Sequence, residues 1–295
     1  MSLPSSPLPD PVDSLPMSSP SIAEPAIVEP AAIEPTAAES GAITQPPVEK
    51  PFPRWTGWDV VAIFVFTIVT VIFFTAAALL IAHTLPAYRN LSLTDLATTN
   101  VAVVIGGQAA AYPVVVLFIF FLVRTRSKER FGEALRWNWP GTLAPVFFVG
   151  GLVLAPIIEG LARYLPIPKT LPVDTFFHDA SSAYLMAAFG MTLAPLLEEL
   201  FFRGLLYPLL RRRLGLVIAV TVTAAAFAAI HGAQLGYAWG PVLSIFVVGV
   251  VLTLVRVRTD SVAASFLTHV GYNSALFGLL WVATDHFRHL EKLAG

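Results

Sequence analysis

The chain has 295 residues, of which 56% are hydrophobic and 13% are charged, with a formal net charge of −1. A water-soluble protein carries roughly twice that charged fraction, so the composition excludes an ordinary globular enzyme. The chain has no cysteine, which excludes a disulfide-stapled secreted domain, a cysteine-ligated metal site and a thiol nucleophile. Basic residues are too sparse to form a stripe that binds nucleic acid. The composition instead predicts a polytopic membrane protein.

Residues 1–50 differ from the rest of the chain. They hold 11 of the 24 prolines and 7 of the 19 acidic residues, against one basic residue, Lys50. Proline removes backbone donors, and the segment has no aromatic residue to bury, so no core can form. The segment also lacks the basic start and apolar stretch of a signal peptide. We predict a disordered tail that acts as a spacer.

Seven apolar runs follow the tail, each near the 20 residues that a helix needs to cross the hydrocarbon core. The first is preceded by Trp55 and Trp58, which suit a membrane interface. The runs are Val60–Ala82, Leu96–Val123, Trp137–Ile158, Ala183 to about Leu210, two within Leu214–Val255, and Val262–Thr284. The pattern predicts an all-α bundle of about seven transmembrane helices, with eight as the alternative.

Basic residues between the runs indicate which side of the membrane each loop faces, because cytoplasmic loops are enriched in lysine and arginine. The clusters lie between runs two and three, four and five, and six and seven: Arg124, Arg126, Lys128, Arg130 and Arg136; Arg211, Arg212 and Arg213; and Arg256 and Arg258. Seven crossings with a cytoplasmic N-terminus put every cluster inside. We therefore predict an integral protein of the plasma (inner) membrane, with residues 285–295 outside.

Several polar side chains lie within the apolar runs. Ionisable groups there cost about 2.5–3.5 kcal/mol each near the bilayer centre, and are functional candidates by default. They are Glu198, Glu199 and Arg203 on run four, His231 on run five, and His269 with the amide of Asn273 on run seven. These six residues are the candidate site.

Their depths can be calculated from the sequence. If runs four and five form a hairpin that turns near Leu214, Glu198 and His231 both lie about 25 Å from its tip at 1.5 Å per residue. Asn273 lies roughly 20 Å along run seven, and His269 is one helical turn away on the same face. Three helices are thus predicted to bring a carboxylate, two imidazoles and an amide to a similar depth.

The predicted cluster has the components of a hydrolytic site. Glu199 and Arg203 are spaced to pair on one helix face, which leaves Glu198 free to point into a cavity. A carboxylate beside a histidine can deprotonate a water molecule for attack on an amide carbonyl, while a second histidine and an amide stabilise the oxyanion. As an alternative, Glu198, His231 and His269 could hold a Zn²⁺ ion with an open water position.

These residues form three motifs in order: Glu198-Glu199-Leu-Phe-Phe-Arg203, Phe227-Ala-Ala-Ile-His231 and His269-Val-Gly-Tyr-Asn273. Read as EExxxR, FxxxH and HxxxN on successive apolar runs, they resemble the CAAX protease and bacteriocin-processing family of intramembrane proteases. That family includes the Ras-converting prenyl-protein endopeptidase and the Abi immunity proteins. The resemblance covers about residues 183–280.

The resemblance implies a role for each motif residue. Glu198 would activate the water with the aid of His231, and His269 and Asn273 would bind the oxyanion. Glu199 and Arg203 would brace run four. The family has been described both as metal-dependent and as glutamate-dependent without an essential metal, and its prenyl-protein proteases usually show eight spans where this sequence shows seven.

The sequence therefore predicts four segments: a tail (1–50), N-terminal transmembrane helices (51–182), a catalytic core (183–280) and a C-terminal tail (281–295). The predicted function is hydrolysis of a peptide bond in a membrane-anchored, CAAX-like or lipidated substrate. The expected partners are that substrate and the lipid bilayer, without nucleic acid, and no cofactor is implied apart from the zinc alternative. The competing hypotheses are a proton- or ion-coupled transporter and a catalytically silent immunity or scaffold protein.

Overall fold

A computed structural model describes residues 54–293, and every regular element in this part of the chain is helical. The predicted spacer at residues 1–50 lies outside the described residues. The α-helices are α1 (Gly57–His83), α2 (Leu93–Thr99), α3 (Val101–Arg126), α4 (Phe131–Ala134), α5 (Ala144–Ala162), α6 (Ala180–Met191), α7 (Leu193–Glu199), α8 (Tyr207–Leu214), α9 (Leu216–Ile230), α10 (Trp239–Thr259) and α11 (Val262–Ala283). A π-helical segment, Leu200–Leu206, joins α7 to α8.

The prediction of an all-α membrane bundle is confirmed. In the described residues, six helical stretches are long and apolar enough to cross a membrane: Gly57–His83, Val101–Arg126, Gly141–Ala162, Ala180–Leu214, Trp239–Thr259 and Val262–Ala283. The fifth predicted run is shorter than expected, because α9 has only 15 residues and ends at Ile230. At 1.5 Å per residue it extends about 22 Å, less than the roughly 30 Å thickness of the hydrocarbon core.

The start of α1 is fixed by reciprocal capping. The Asp59 amide donates to Thr56 Oγ1 at 3.3 Å, and the Thr56 amide donates to the Asp59 carboxylate at 2.7 Å. Arg126, at the end of α3, contacts Asp59 Oδ1 at 2.7 Å. Trp55 differs from the prediction of an interfacial residue: it is buried, and its indole donates to the Leu205 carbonyl. Trp58 is 82% exposed, as an interface residue would be.

Helices α5 and α11 approach closely through glycines. A Cβ on Gly151 would overlap the backbone of α11 at Thr268 and Tyr272, and a Cβ on Gly271 would overlap the Phe148 carbonyl of α5. Without a hydrophobic driving force between helices in lipid, small residues that allow such close backbone packing stabilise the pair. This contact fixes the position of α11, which carries two of the predicted site residues.

Candidate active site

The predicted meeting of three helices occurs around the Glu198 side chain at the end of α7. Its Oε1 lies 3.8 Å from His231 Nε2, and its Oε2 lies 3.7 Å from His269 Nε2. Both distances exceed that of a direct hydrogen bond. The carboxylate therefore faces one imidazole with each oxygen, without a direct hydrogen bond to either.

The two imidazoles are held by their other ring nitrogens. His231 Nδ1 donates to the Phe227 carbonyl at 2.9 Å, and His269 Nδ1 donates to Glu199 Oε1 at 3.0 Å. A neutral imidazole that donates from Nδ1 presents a lone pair at Nε2. With the His231 ring neutral, its Nε2 and the Glu198 carboxylate both present acceptors, so the space beside them suits a molecule that can donate protons.

Glu199 is fully buried and accepts from three neighbours, more than the single pair that the sequence predicted. Arg203 Nη1 donates to its Oε1 at 2.8 Å, Ser265 Oγ donates to its Oε2 at 2.6 Å, and His269 Nδ1 is the third. The predicted Glu199–Arg203 pair is present, but Glu199 also orients a site histidine. Ser265 was missed by the motif analysis, although it lies four residues before His269, on the same helix face.

Arg203 ties the π-helical segment to α10 and packs on the aromatic residue of the second motif. Its Nη2 donates to the Gly249 carbonyl at 2.9 Å, and its guanidinium lies 4.6 Å from the centre of the Phe227 ring. The Phe227 ring also contacts the rings of His231 and His269, with centroids 5.0 and 5.6 Å away. Phe227 thereby contacts the Arg203 guanidinium and both histidine rings.

Asn273, the fourth predicted site residue, lies in the same cavity but is partly engaged elsewhere. Its Nδ2 donates to the Gly190 carbonyl of α6 at 2.6 Å. An amide nitrogen has two hydrogens, so one N–H remains for a ligand. The bond to Gly190 fixes the orientation of the side chain relative to α6.

All four residues open into a cavity of about 320 Å³. Its walls are mostly apolar, and they include Phe176, Phe177, Phe189, Tyr272 and Phe277. Two further polar side chains of α3, Gln108 and Tyr112, also line it. These two residues lie outside the three motifs, and nothing in the sequence pattern of α3 fixes which way the helix is rotated. An apolar cavity with a few converging polar groups is typical of a small-molecule or peptide site.

Metal binding was the alternative use of the same residues. A carboxylate and two imidazole nitrogens are zinc ligands by chemistry. Within residues 54–293, however, no group of three or more histidine, aspartate or glutamate side chains is arranged to hold a metal ion. The zinc site stays a prediction.

Comparison with known families bears on the three motifs directly. Residues 180–275 match a family model described as Type II CAAX prenyl endopeptidase Rce1-like. The matched segment spans α6 to most of α11 and contains all six candidate residues. The resemblance predicted from the motifs is thereby confirmed over this segment. No curated protein and no solved structure matches the chain.

Proposed function

We propose that this integral membrane protein, similar over residues 180–275 to the Rce1-like prenyl endopeptidases, is an intramembrane endopeptidase. It hydrolyses a peptide bond of a membrane-anchored substrate with a water molecule activated by Glu198. One observation carries the proposal: the two oxygens of the Glu198 carboxylate face the Nε2 atoms of His231 and His269 at 3.8 and 3.7 Å inside an apolar cavity.

The acceptors in the cavity suit a nucleophilic water. A water molecule donates two protons, one to Glu198 and one to the Nε2 lone pair of His231. Glu198 then takes the first proton as the water oxygen bonds to the carbonyl carbon of the substrate, which is general base catalysis. His231 orients the water through its Nε2 lone pair, because its Nδ1–H donates to the Phe227 carbonyl.

The developing oxyanion needs donors, and two groups can supply them. Asn273 keeps one amide N–H after its bond to Gly190. His269 donates from Nε2 only in its doubly protonated form, since its Nδ1–H is directed at Glu199. In that form the Glu199 carboxylate lies directly against the positive ring. Donors fixed in a site from which water is largely excluded are typically worth 2.7–4 kcal/mol each in the transition state.

Collapse of the tetrahedral intermediate breaks the C–N bond. The proton that Glu198 took from the water passes to the leaving amine, so Glu198 acts first as base and then as acid. The aromatic walls favour an apolar peptide segment or a lipid chain next to the cleaved bond. A CAAX-like, lipidated substrate is the finer form of this proposal.

The test compares the wild type with Glu198→Gln and Glu159→Gln in cleaving a library of membrane-anchored peptides, with and without a chelator. Glu159 is an exposed residue of α5 outside the cavity lining, so the same chemical change there is a matched control. We expect the wild type and Glu159→Gln to cleave and Glu198→Gln to lose at least 100-fold in rate.

Cleavage by a folded Glu198→Gln variant would refute the mechanism. Loss of wild-type activity with the chelator would favour the zinc alternative. Absence of cleavage by all three folded proteins would support the transporter or silent-scaffold hypotheses instead.

A further inference from the structure

The two ends of the helical bundle differ sharply in charge. At one end, called here the basic end, the termini of several helices are joined by direct contacts. Arg126 contacts Asp59, the Val262 amide donates to the Arg136 carbonyl, and Arg256 contacts Asp260. From residue 54 onwards this end has eleven basic and four acidic residues: Arg54, Arg124, Arg126, Lys128, Arg130, Arg136, Arg211, Arg212, Arg213, Arg256 and Arg258, against Asp59, Glu129, Glu133 and Asp260.

The opposite end, formed by the other termini of the same helices, is close to neutral. It has five basic and six acidic residues: Arg89, Arg163, Lys169, Arg288 and Lys292, against Asp95, Glu159, Asp174, Asp179, Asp285 and Glu291. Its segments also contact one another. The His178 ring lies against the Thr99 carbonyl, and Gly236 packs next to Pro172.

The catalytic cavity lies towards this opposite end. Its lining includes the first residues of α3, Val101 and Val104, and the loop residues Val173 and Phe177 that precede α6. Gln234, in the turn between α9 and α10, also lines it. None of the eleven basic residues of the basic end is among the residues that line this cavity.

The short α9 explains how the opposite end reaches Glu198. This helix starts at the basic end, next to Arg213, and stops after about 22 Å. His231 is the residue at which it stops, and the turn that follows has an exposed residue, Gln234, that also lines the cavity. A full-length helix would continue across this region and place His231 in mid-helix, without an adjacent turn that opens to solvent.

We infer that the catalytic cavity opens to the non-cytoplasmic face of the membrane. The excess of lysine and arginine in short loops marks the cytoplasmic side, and all of that excess lies at the end remote from the cavity. One consequence rests on the proposed function. The cleaved bond lies in the exported part of a membrane-anchored substrate, at or near the non-cytoplasmic interface.

The absence of cysteine allows a direct test with single substitutions in the full chain. Gln234→Cys puts a thiol on an exposed residue at the cavity, and Lys128→Cys puts one on an exposed residue at the basic end. Both variants are expressed in a bacterium, and spheroplasts are treated with a membrane-impermeant maleimide before and after permeabilisation. Thermal unfolding of the purified variants checks that both are folded.

We expect Gln234→Cys to be labelled at least tenfold faster than Lys128→Cys in intact spheroplasts, and the two to become similar after permeabilisation. The reverse order would overturn the inference. This readout does not depend on activity, so it stands or fails apart from the proposed function.

A second arm concerns the substrate. One apolar anchor carries the same cleavable peptide on its cytoplasmic or on its exported side, and cleavage is compared between the two fusions. Preferential cleavage of the exported peptide supports the inference, and preferential cleavage of the cytoplasmic peptide overturns it. If neither fusion is cleaved, both the proposed function and the exported position of the cleaved bond are refuted. The labelling result still decides on which side of the membrane the cavity opens.

Discussion

Two adjacent glutamates provide a sharp test of how the site is built, because the same substitution should have opposite effects on them. Glu199→Gln removes a buried charge that accepts from Arg203, Ser265 and His269. Glutamine has a single acceptor oxygen, and its NH₂ group would face a donor. Glu198 faces two imidazoles at 3.7–3.8 Å, beyond hydrogen-bond distance.

The magnitudes follow from these contacts. Removing one partner of a buried ion pair costs about 3–5 kcal/mol, because the other charge stays buried without compensation. Arg203 is fully buried, so we expect Glu199→Gln to lower the free energy of unfolding by about this amount. Glu198→Gln removes a carboxylate that makes no hydrogen bond with the described residues, so we expect its free energy of unfolding to stay within about 1 kcal/mol of wild type, or to rise.

The assay is denaturant unfolding of the detergent-purified proteins, followed by tryptophan fluorescence, alongside cleavage of the anchored peptides. Glu198→Gln should be stable and inactive, whereas Glu199→Gln should be unstable and inactive at temperatures where it has unfolded. Wild-type stability of Glu199→Gln, or an equal loss in both variants, would show that the division between a catalytic and a structural glutamate is wrong.

Three further predictions concern the supports of the site. Gly271→Ala places a methyl group against α5 and should lower the unfolding free energy by about 1–3 kcal/mol. Gly278→Ala on the same helix meets no atom within 4 Å and should be neutral or stabilising. Thermal unfolding of both variants measures the difference, and equal effects would contradict the prediction. Ser265→Ala leaves the buried Glu199 Oε2 without its 2.6 Å donor and should lower the unfolding free energy by about 1.5–3 kcal/mol. We also expect a lower turnover number with little change in substrate affinity. A wild-type turnover number would refute the positioning role of Ser265. Asp59→Ala removes the carboxylate that accepts from the Thr56 amide and contacts Arg126. It should cost about 1.5–3 kcal/mol without changing the specific activity of the folded protein, which chemical denaturation and a cleavage assay together measure.

Much of this architecture could be predicted from local sequence patterns. Apolar runs of about 20 residues identify the transmembrane helices, because the thickness of the bilayer fixes their length. The shared depth of Glu198 and His231 follows from counting residues from a hairpin turn, and the structure brings them within 3.8 Å of each other. The spacing of Glu199 and Arg203 correctly predicted their pair, since helix periodicity places residues four apart on one face.

Other features depend on how the helices are rotated and where they cross. Both are set by packing between helices and not by local sequence patterns. Ser265 of α11 and Glu199 of α7 are 66 residues apart and meet only because these two helices pack against each other. The burial of Trp55 under the Leu205 carbonyl and the early end of α9 likewise have no local signal. Composition and residue spacing establish the membrane class, the depth of the polar residues and their family pattern. The acceptor that holds each histidine and the end at which the cavity lies follow only from the packed helices, because hydrogen-bond partners and cavity walls come from helices that are distant in the chain.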